Sequence, residues 1–274
     1  MQYDPIKRRL GVFFNTSPAL RKLFYRLLDL LFLRAWYVRR ELKRWAAMQH
    51  NGASVLDAGA GFGQYVYFMS TLNPNWNILA VDVKDEQVAD CNAFFKTIGK
   101  HAVRFQTADL TRFREPNTFD LALSVDVMEH ILDDVQVFKN LYDSLKPGGL
   151  LIISTPSDKG GSDTHHDHDD HDSEAHGFID EHVRDGYNII DIQEKLKAAG
   201  FSKVDAKYSY GTAGSLAWRL SMKYPIQLLG ISQLFFIVLP FYYVVAYPIA
   251  FVLNYIDTIS THDSGTGLIV KAWK

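Results

Sequence analysis

Residues 55–65 read VLDAGAGFGQY, and the fold turns on them. An apolar run that stops at a carboxylate, Asp57, and gives way to Gly59, Gly61 and Gly63 has the form of a buried strand emptying into a tight turn. Glycine lets the backbone bend there and approach a ligand where a Cβ would clash. A dinucleotide loop has the spacing G-x-G-x-x-G, but here it is G-x-G-x-G, with Gln64 at the sixth position. Asp57 would also repel a pyrophosphate. The loop is therefore suited to a cationic or zwitterionic ligand.

Working outward, SVLDAG is the first of five short apolar runs; NILAVD, AVRFQTAD, FDLALSVD and GLLIIST follow. Helix-like stretches such as DEQVADCNAFFKTIG and LDDVQVFKNLYDSL separate them. This alternation predicts a parallel sheet flanked by helices. Ligands of such sheets lie beyond the carboxyl ends of the strands, so the closing residues matter most. The second run closes at Asp82, whose carboxylate can accept both hydroxyls of a ribose. The third closes at Ala108-Asp109-Leu110, suited to an adenine amine and its apolar face. The fourth ends SVDVMEHI.

Taken in order, DAGAGFG, VDV, TADL, FDLALSVDVMEH and LKPGGLLIIS resemble the successive motifs of class I S-adenosylmethionine-dependent methyltransferases, small-molecule enzymes such as those of quinone biosynthesis above all. The resemblance covers residues 53–157, and EHVRDGYNIIDIQEKLKAAGF at 181–201 extends it. It implies a Rossmann-like seven-stranded, mostly parallel α/β sheet with an antiparallel last strand. It also implies that S-adenosyl-L-methionine is the cofactor. By this resemblance Asp57, Gly59, Ala60, Gly61 and Gly63 hold the methionine part, and Asp82 holds the ribose with Val83 beside the adenine. Asp109 meets the adenine amine between Ala108 and Leu110. Ser124, Val125 and Asp126 line the floor beneath the sulfonium. Val125 and Leu110 also suit an ordinary core, and Glu129 and His130 suit a helix cap.

Methyl transfer from a sulfonium is a displacement by a nucleophile on the acceptor, so the protein mainly positions the partners and excludes water. A hydroxyl acceptor gains from a general base. His182 in EHVR is the first choice, with Asp126 and His130 as further catalytic candidates and His176 nearby in sequence. DTHHDHDDHDSEAH (163–176) holds His165, His166, His168 and His171 among carboxylates, but it lacks H-E-x-x-H spacing and helical or strand periodicity. It reads as a solvated loop, and no metal is assigned.

FSKVDAKYSY (201–210) reads as the sixth strand and TGLIVKAWK (266–274) as the seventh. Between them lies PIQLLGISQLFFIVLPFYYVVAYPIAFVLNYI, Pro225 to Ile256, without one charged side chain. A single membrane span would strand the seventh strand on the far side. Division at Pro240 would leave arms of roughly 16 residues, about 24 Å each and short of a ~30 Å hydrocarbon core. The expectation is a broken helical cap over the cofactor side of the sheet, packed on the protein or dipping into one leaflet. The strip from Leu234 to Val245 is too continuous to stand half exposed in water, since each large side chain buried is worth about 1.5–3 kcal/mol.

At the other end, NTSPALRKLFYRLLDLLFLRAWYVRRELKRW opens with Ser17-Pro18 as a helix start. Leu20, Leu23, Phe24, Leu27, Leu28 and Leu31 form a stripe, and Arg21, Lys22, Arg26 and Arg34 lie elsewhere around the helix. Residues 1–50 hold eleven Lys/Arg and three Asp/Glu, although the whole chain of 274 residues has a net charge of −2. A basic amphipathic helix beside an apolar cap supplies the two signals that stable peripheral attachment requires. The leucine face and a pI near 6.5 argue against nucleic acid.

The single cysteine, Cys91, excludes an internal disulfide. The N-terminal residues lack the pattern of a signal peptide. The expected location is cytoplasmic, peripheral on the inner face of the membrane. Three segments follow: residues 1–50 as the basic helical part, 51–211 with 263–274 as the cofactor-binding core, and 212–262 as the apolar cap. The expected reaction is methylation of a lipophilic small molecule or lipid at a membrane surface. The alternatives are a soluble acceptor with the cap as a homodimer interface, a silent cofactor-binding scaffold, or a nicotinamide or flavin oxidoreductase on a related fold.

Overall fold

The computed structural model describes residues 17–49, 52–160, 183–232 and 234–274. Seven strands form one sheet: β1 Ser54–Ala58, β2 Asn77–Asp82, β3 Val103–Thr107, β4 Phe119–Val125, β5 Leu145–Pro156, β6 Lys203–Ser209 and β7 Gly267–Trp273, in the order β3-β2-β1-β4-β5-β7-β6. β7 runs antiparallel to both β5 and β6, and the other pairings are parallel. The mostly parallel sheet with its antiparallel last strand is as expected. Leu56, Leu121, Leu123, Ile152 and Ile153 on the central strands are fully buried, because helices cover both faces.

Those helices follow from the periodic segments. Counted from the first described helix, α1 is Pro18–Leu31, α2 Leu33–Ala46, α3 Gln64–Leu72, α4 Asp85–Thr97, α5 Asp134–Ser144 and α6 Ile189–Ala198. Ser17 caps α1, its hydroxyl accepting the Leu20 N–H at 3.2 Å, and Pro18 occupies the first turn. The basic N-terminal segment is two helices: Phe32 is extended and separates α1 from α2. The leucine pattern does not by itself say which face of α1 turns inward. Arg21 and Tyr25 are the buried residues, whereas Leu23, Leu27 and Leu30 face outward.

Between β6 and β7 the chain forms a helical hairpin. Its first arm is α7 (Thr212–Trp218), a π-helical turn (Arg219–Lys223) and α8 (Tyr224–Ile231); its second is α9 (Phe235–Ile259). Ser209 and Gly267 are register partners, so the hairpin leaves and rejoins the sheet at the carboxyl end of β6, the side of the glycine loop. One expectation is corrected here. The helix does not break at Pro240, since α9 contains both Pro240 and Pro248 and the chain turns at Ser232. Of the two arrangements expected for the strip Leu234–Val245, packing wholly on the protein is not found: Phe241 is 73% exposed and Val244 74%.

The hairpin is anchored at its base by polar groups. Asp257, fully buried, accepts the Tyr37 hydroxyl at 2.7 Å and the Gly214 N–H at 2.8 Å, with His262 Nε2 3.4 Å away. In the π turn, the Leu220 and Ser221 carbonyls accept the hydroxyls of Tyr242 and Tyr243 at 2.7 and 2.8 Å. Backbone groups released by the wider turn are thereby satisfied.

Candidate active site

The glycine loop leaves β1 and folds back on β2. Gly59 and Ala60 both donate to the Val81 carbonyl, at 2.9 and 3.0 Å. Gly61 donates to Asp82 Oδ2 at 2.9 Å, and Lys84 N–H to Oδ1 at 3.1 Å. Asp82 thus fixes the loop through Oδ2 and its own following turn through Oδ1, and each oxygen keeps accepting capacity. Gly59, Gly61 and Gly63 all have positive φ, but the space around them differs. A Cβ on Gly59 would lie 2.2 Å from Val127, and one on Gly63 3.0 Å from Phe95 and Phe105. Only at Gly61 is the space open, so close approach by a ligand is assigned to that glycine.

Asp57 lies beneath the loop, 2% exposed. Burial first, then the nearby Asp82 carboxylate, push its carboxyl up to about 8. Its Oδ2 has no hydrogen-bond partner, and neither does the buried Ser124 hydroxyl at the end of β4. On the side expected for the nucleoside, Val83 is exposed and Leu110 buried. Asp109 is held below the usual carboxylate range by the Thr111 hydroxyl and N–H, which it accepts at 2.8 and 2.9 Å.

Val125 closes β4, and Asp126 follows at φ 52 with its carboxylate paired to the Arg34 guanidinium of α2. Arg34 donates its backbone N–H to the Tyr210 hydroxyl at 3.0 Å. Burial raises Tyr65 and Tyr210 above the ordinary phenol range, while Arg34 opposes this in both. Glu129 does not cap the following helix. It is buried and accepts the Thr155 hydroxyl at 3.1 Å, whereas Asp133 caps α5. Burial raises Glu129 above the usual carboxylate range. His130 is exposed on the short turn Met128–His130. His182, His176 and the 163–176 stretch lie outside the described residues. Val183 donates its N–H to the Glu129 carbonyl at 3.1 Å, and Arg184 pairs with Asp134.

α1 lies over the loop. Arg21 donates to the Phe62 carbonyl at 3.0 Å and to Asp90 at 2.5 Å, and the Tyr25 hydroxyl donates to the same carbonyl. Gln64 Nε2 reaches Asp29 at 2.8 Å.

Residues 56–151 match a methyltransferase domain model. Phosphoethanolamine N-methyltransferase of Triticum aestivum is 32% identical over 158 residues, covering 57% of this chain and 29% of that protein. Ubiquinone biosynthesis O-methyltransferase of Xanthomonas campestris is 29% identical over 106 residues, covering 38% of this chain and 43% of that one. Among solved structures, Haemonchus contortus phosphoethanolamine N-methyltransferase 2 in complex with S-adenosyl-L-methionine superposes with a TM-score of 0.59 at 18% identity, over 94% of this chain and 57% of that one. The matched motifs run in order across the strand tips just described. The chain carries a methyltransferase domain over residues 56–151 and is similar there to the class I S-adenosylmethionine-dependent methyltransferases. It spans less than half the length of these curated relatives.

The strand tips fit the methyltransferase cofactor. Asp57 Oδ2 and the Ser124 hydroxyl are buried polar atoms without partners, Gly61 opens onto free space, and the Asp57 carboxyl, which burial and Asp82 keep protonated, would be drawn to its ionised form by the positive charge of a sulfonium or ammonium. The structure brings Asp57, Asp82, Ser124 and Asp126 together at one end of the sheet. Sequence reasoning missed Arg34, Tyr65 and Tyr210. The sequence groups Arg34 with the cations around one basic helix, whereas it lies beyond the break at Phe32, on α2, paired with Asp126. The methyltransferase core contains no cluster of metal-binding side chains among the described residues.

Proposed function

We propose that the chain transfers a methyl group from S-adenosylmethionine to a lipophilic acceptor met at the cytoplasmic surface of a membrane. Asp57 and the Gly59–Gly63 loop hold the methionine part, and Asp82 and Val83 the ribose and adenine edge. Ala108, Asp109 and Leu110 take the base, and Ser124, Val125 and Asp126 form the floor. The sulfonium supplies the electrophilic methyl group. The protein's own work is to orient the acceptor and exclude water.

The observation that carries the acceptor class is the position of Arg34, Asp126 and Tyr210. They meet where the α1–α2 break adjoins the root of the apolar hairpin. An acceptor whose polar end reaches Asp126 from that side leaves its tail against apolar side chains. Asp126, already engaged by a guanidinium, is suited to orient a polar end rather than to take its proton. His130 and His182 remain the proposed proton acceptors for a hydroxyl. The amine and phosphate of the plant relatives' named acceptor carry the two charges that the Arg34–Asp126 pair would separate, which favours an aminoalkyl phosphate lipid headgroup.

Incubation with methyl-labelled cofactor and vesicles of total bacterial lipid tests the proposal. Label is expected in the organic extract. Label confined to water-soluble products would support a soluble acceptor instead, and none anywhere, despite tight cofactor binding, a silent scaffold.

A further inference from the structure

Two helices of this chain are built inside out. On α9 the side chains facing the protein include Asn254, Asp257 and Thr258, whereas the exposed ones are apolar or tyrosine along the whole length: Ile237, Phe241, Val245, Ile249, Val252 and Ile256 trace the stripe. On α1, Arg21 is 3% exposed and Leu23 47%. Polar residues inward and apolar residues outward are the reverse of a water-facing helix. The two stripes meet. The Trp36 indole donates to the Leu30 carbonyl at 3.4 Å, and its ring packs edge-on against Phe251 at 4.8 Å. The apolar surface therefore runs from α1 across Trp36 onto α9.

We infer that this joint surface lies flat in one leaflet of a lipid bilayer, with α9 parallel to the membrane plane. By length and composition, Ile237–Ile259 could cross a membrane, but three observations favour the flat arrangement. β7 rejoins the sheet beside β6, so the chain returns to the side it left. Full-depth insertion of the hairpin would carry Arg219 and Lys223, halfway along the first arm, into hydrocarbon. Insertion by the tip alone, as far as those two cations, covers only about 12 Å of α9 and leaves Val245 to Ile259 in water. Lying flat covers the full stripe at the depth of interfacial helices, about 5–10 Å. Arg26, exposed among Leu23, Leu27 and Leu30, then meets anionic headgroups. This deepens the proposed function by naming the docking face, and it places the Arg34–Asp126 pair toward the headgroups.

The test uses the full chain and vesicles of phosphatidylcholine with phosphatidylglycerol as minor component, without any acceptor assay. Spin labels at V238C, V245C and V252C are expected to show equal depth by collision with lipid-soluble and water-soluble relaxants. Depth falling steadily from Val238 to Val252 overturns the flat orientation. The combined variant I237D/V245D/V252D is expected to lose vesicle binding at least tenfold, whereas I190D, exposed on α6, keeps it. No flotation of the native chain, with sedimentation as a dimer that the triple variant converts to monomer, makes this face a subunit interface and overturns the inference. Flat binding without methyl transfer leaves the docking face standing and contradicts only the proposed reaction.

Discussion

Asp57 is raised to about 8 in the folded chain by burial and by Asp82, against an ordinary value of 3.8. The folded state therefore holds a proton that the unfolded chain has lost, and stability falls as pH rises from about 4 toward about 8. D57N removes that slope, so its Tm should exceed the native one by a margin that grows between about pH 5 and pH 8 in cofactor-free thermal scans. A constant margin would show that the carboxyl is already ionised. Arg34 belongs to a different step. If the pair orients the acceptor as proposed, R34A should lower turnover at least tenfold while S-adenosylhomocysteine affinity stays within about threefold. Asp57, Asp82 and Ser124 were legible because strand-closing residues of this fold are confined to the binding edge. The placement of Arg34 beside Asp126 was not, since it follows a helix break that no proline or glycine announces.

The hairpin shows what periodicity conveys about an element and what it does not. Its apolar character is plain from an uncharged stretch, but a local rule places a helix end at Pro240. Ser232 holds the turn instead, and α9 keeps enough backbone bonds on either side of both prolines to continue. Leucine spacing on α1 likewise gives the helix but not which face turns inward, and that is set by Arg21, which bonds Asp90, Tyr25 and the Phe62 carbonyl. At the base of the hairpin, a Cβ on Gly214 would stand 2.5 Å from Leu33 and 2.7 Å from the Asp257 carboxyl carbon. G214A should cost about 1–3 kcal/mol, seen as a Tm lower by several degrees. An unchanged Tm would mean that the hairpin root is not packed as described.

Across the whole molecule, the seven mostly parallel strands, the antiparallel last strand and the binding edge of the sheet were readable, because a parallel α/β sheet leaves few topologies open. The outward-facing apolar surface was not. Sequence shows that a stripe is apolar, while the solvent it faces is settled only when the core is seen to be filled without it. Attachment should combine this uncharged surface with the basic charge of α1 and α2. Raising salt from about 0.1 M to about 1 M, which shortens the screening length from about 10 Å to about 3 Å, should weaken vesicle flotation only in part. Complete release would make the attachment electrostatic alone.

The account rests on the acidic, partly unbonded cradle at the tips of β1, β2 and β4. Calorimetric titration of S-adenosylhomocysteine into the native chain, D57A and D82A measures it most directly. One site per chain is predicted, with affinity at least tenfold weaker in each variant. Native-like heat from both variants, or no heat from the native protein, would contradict it.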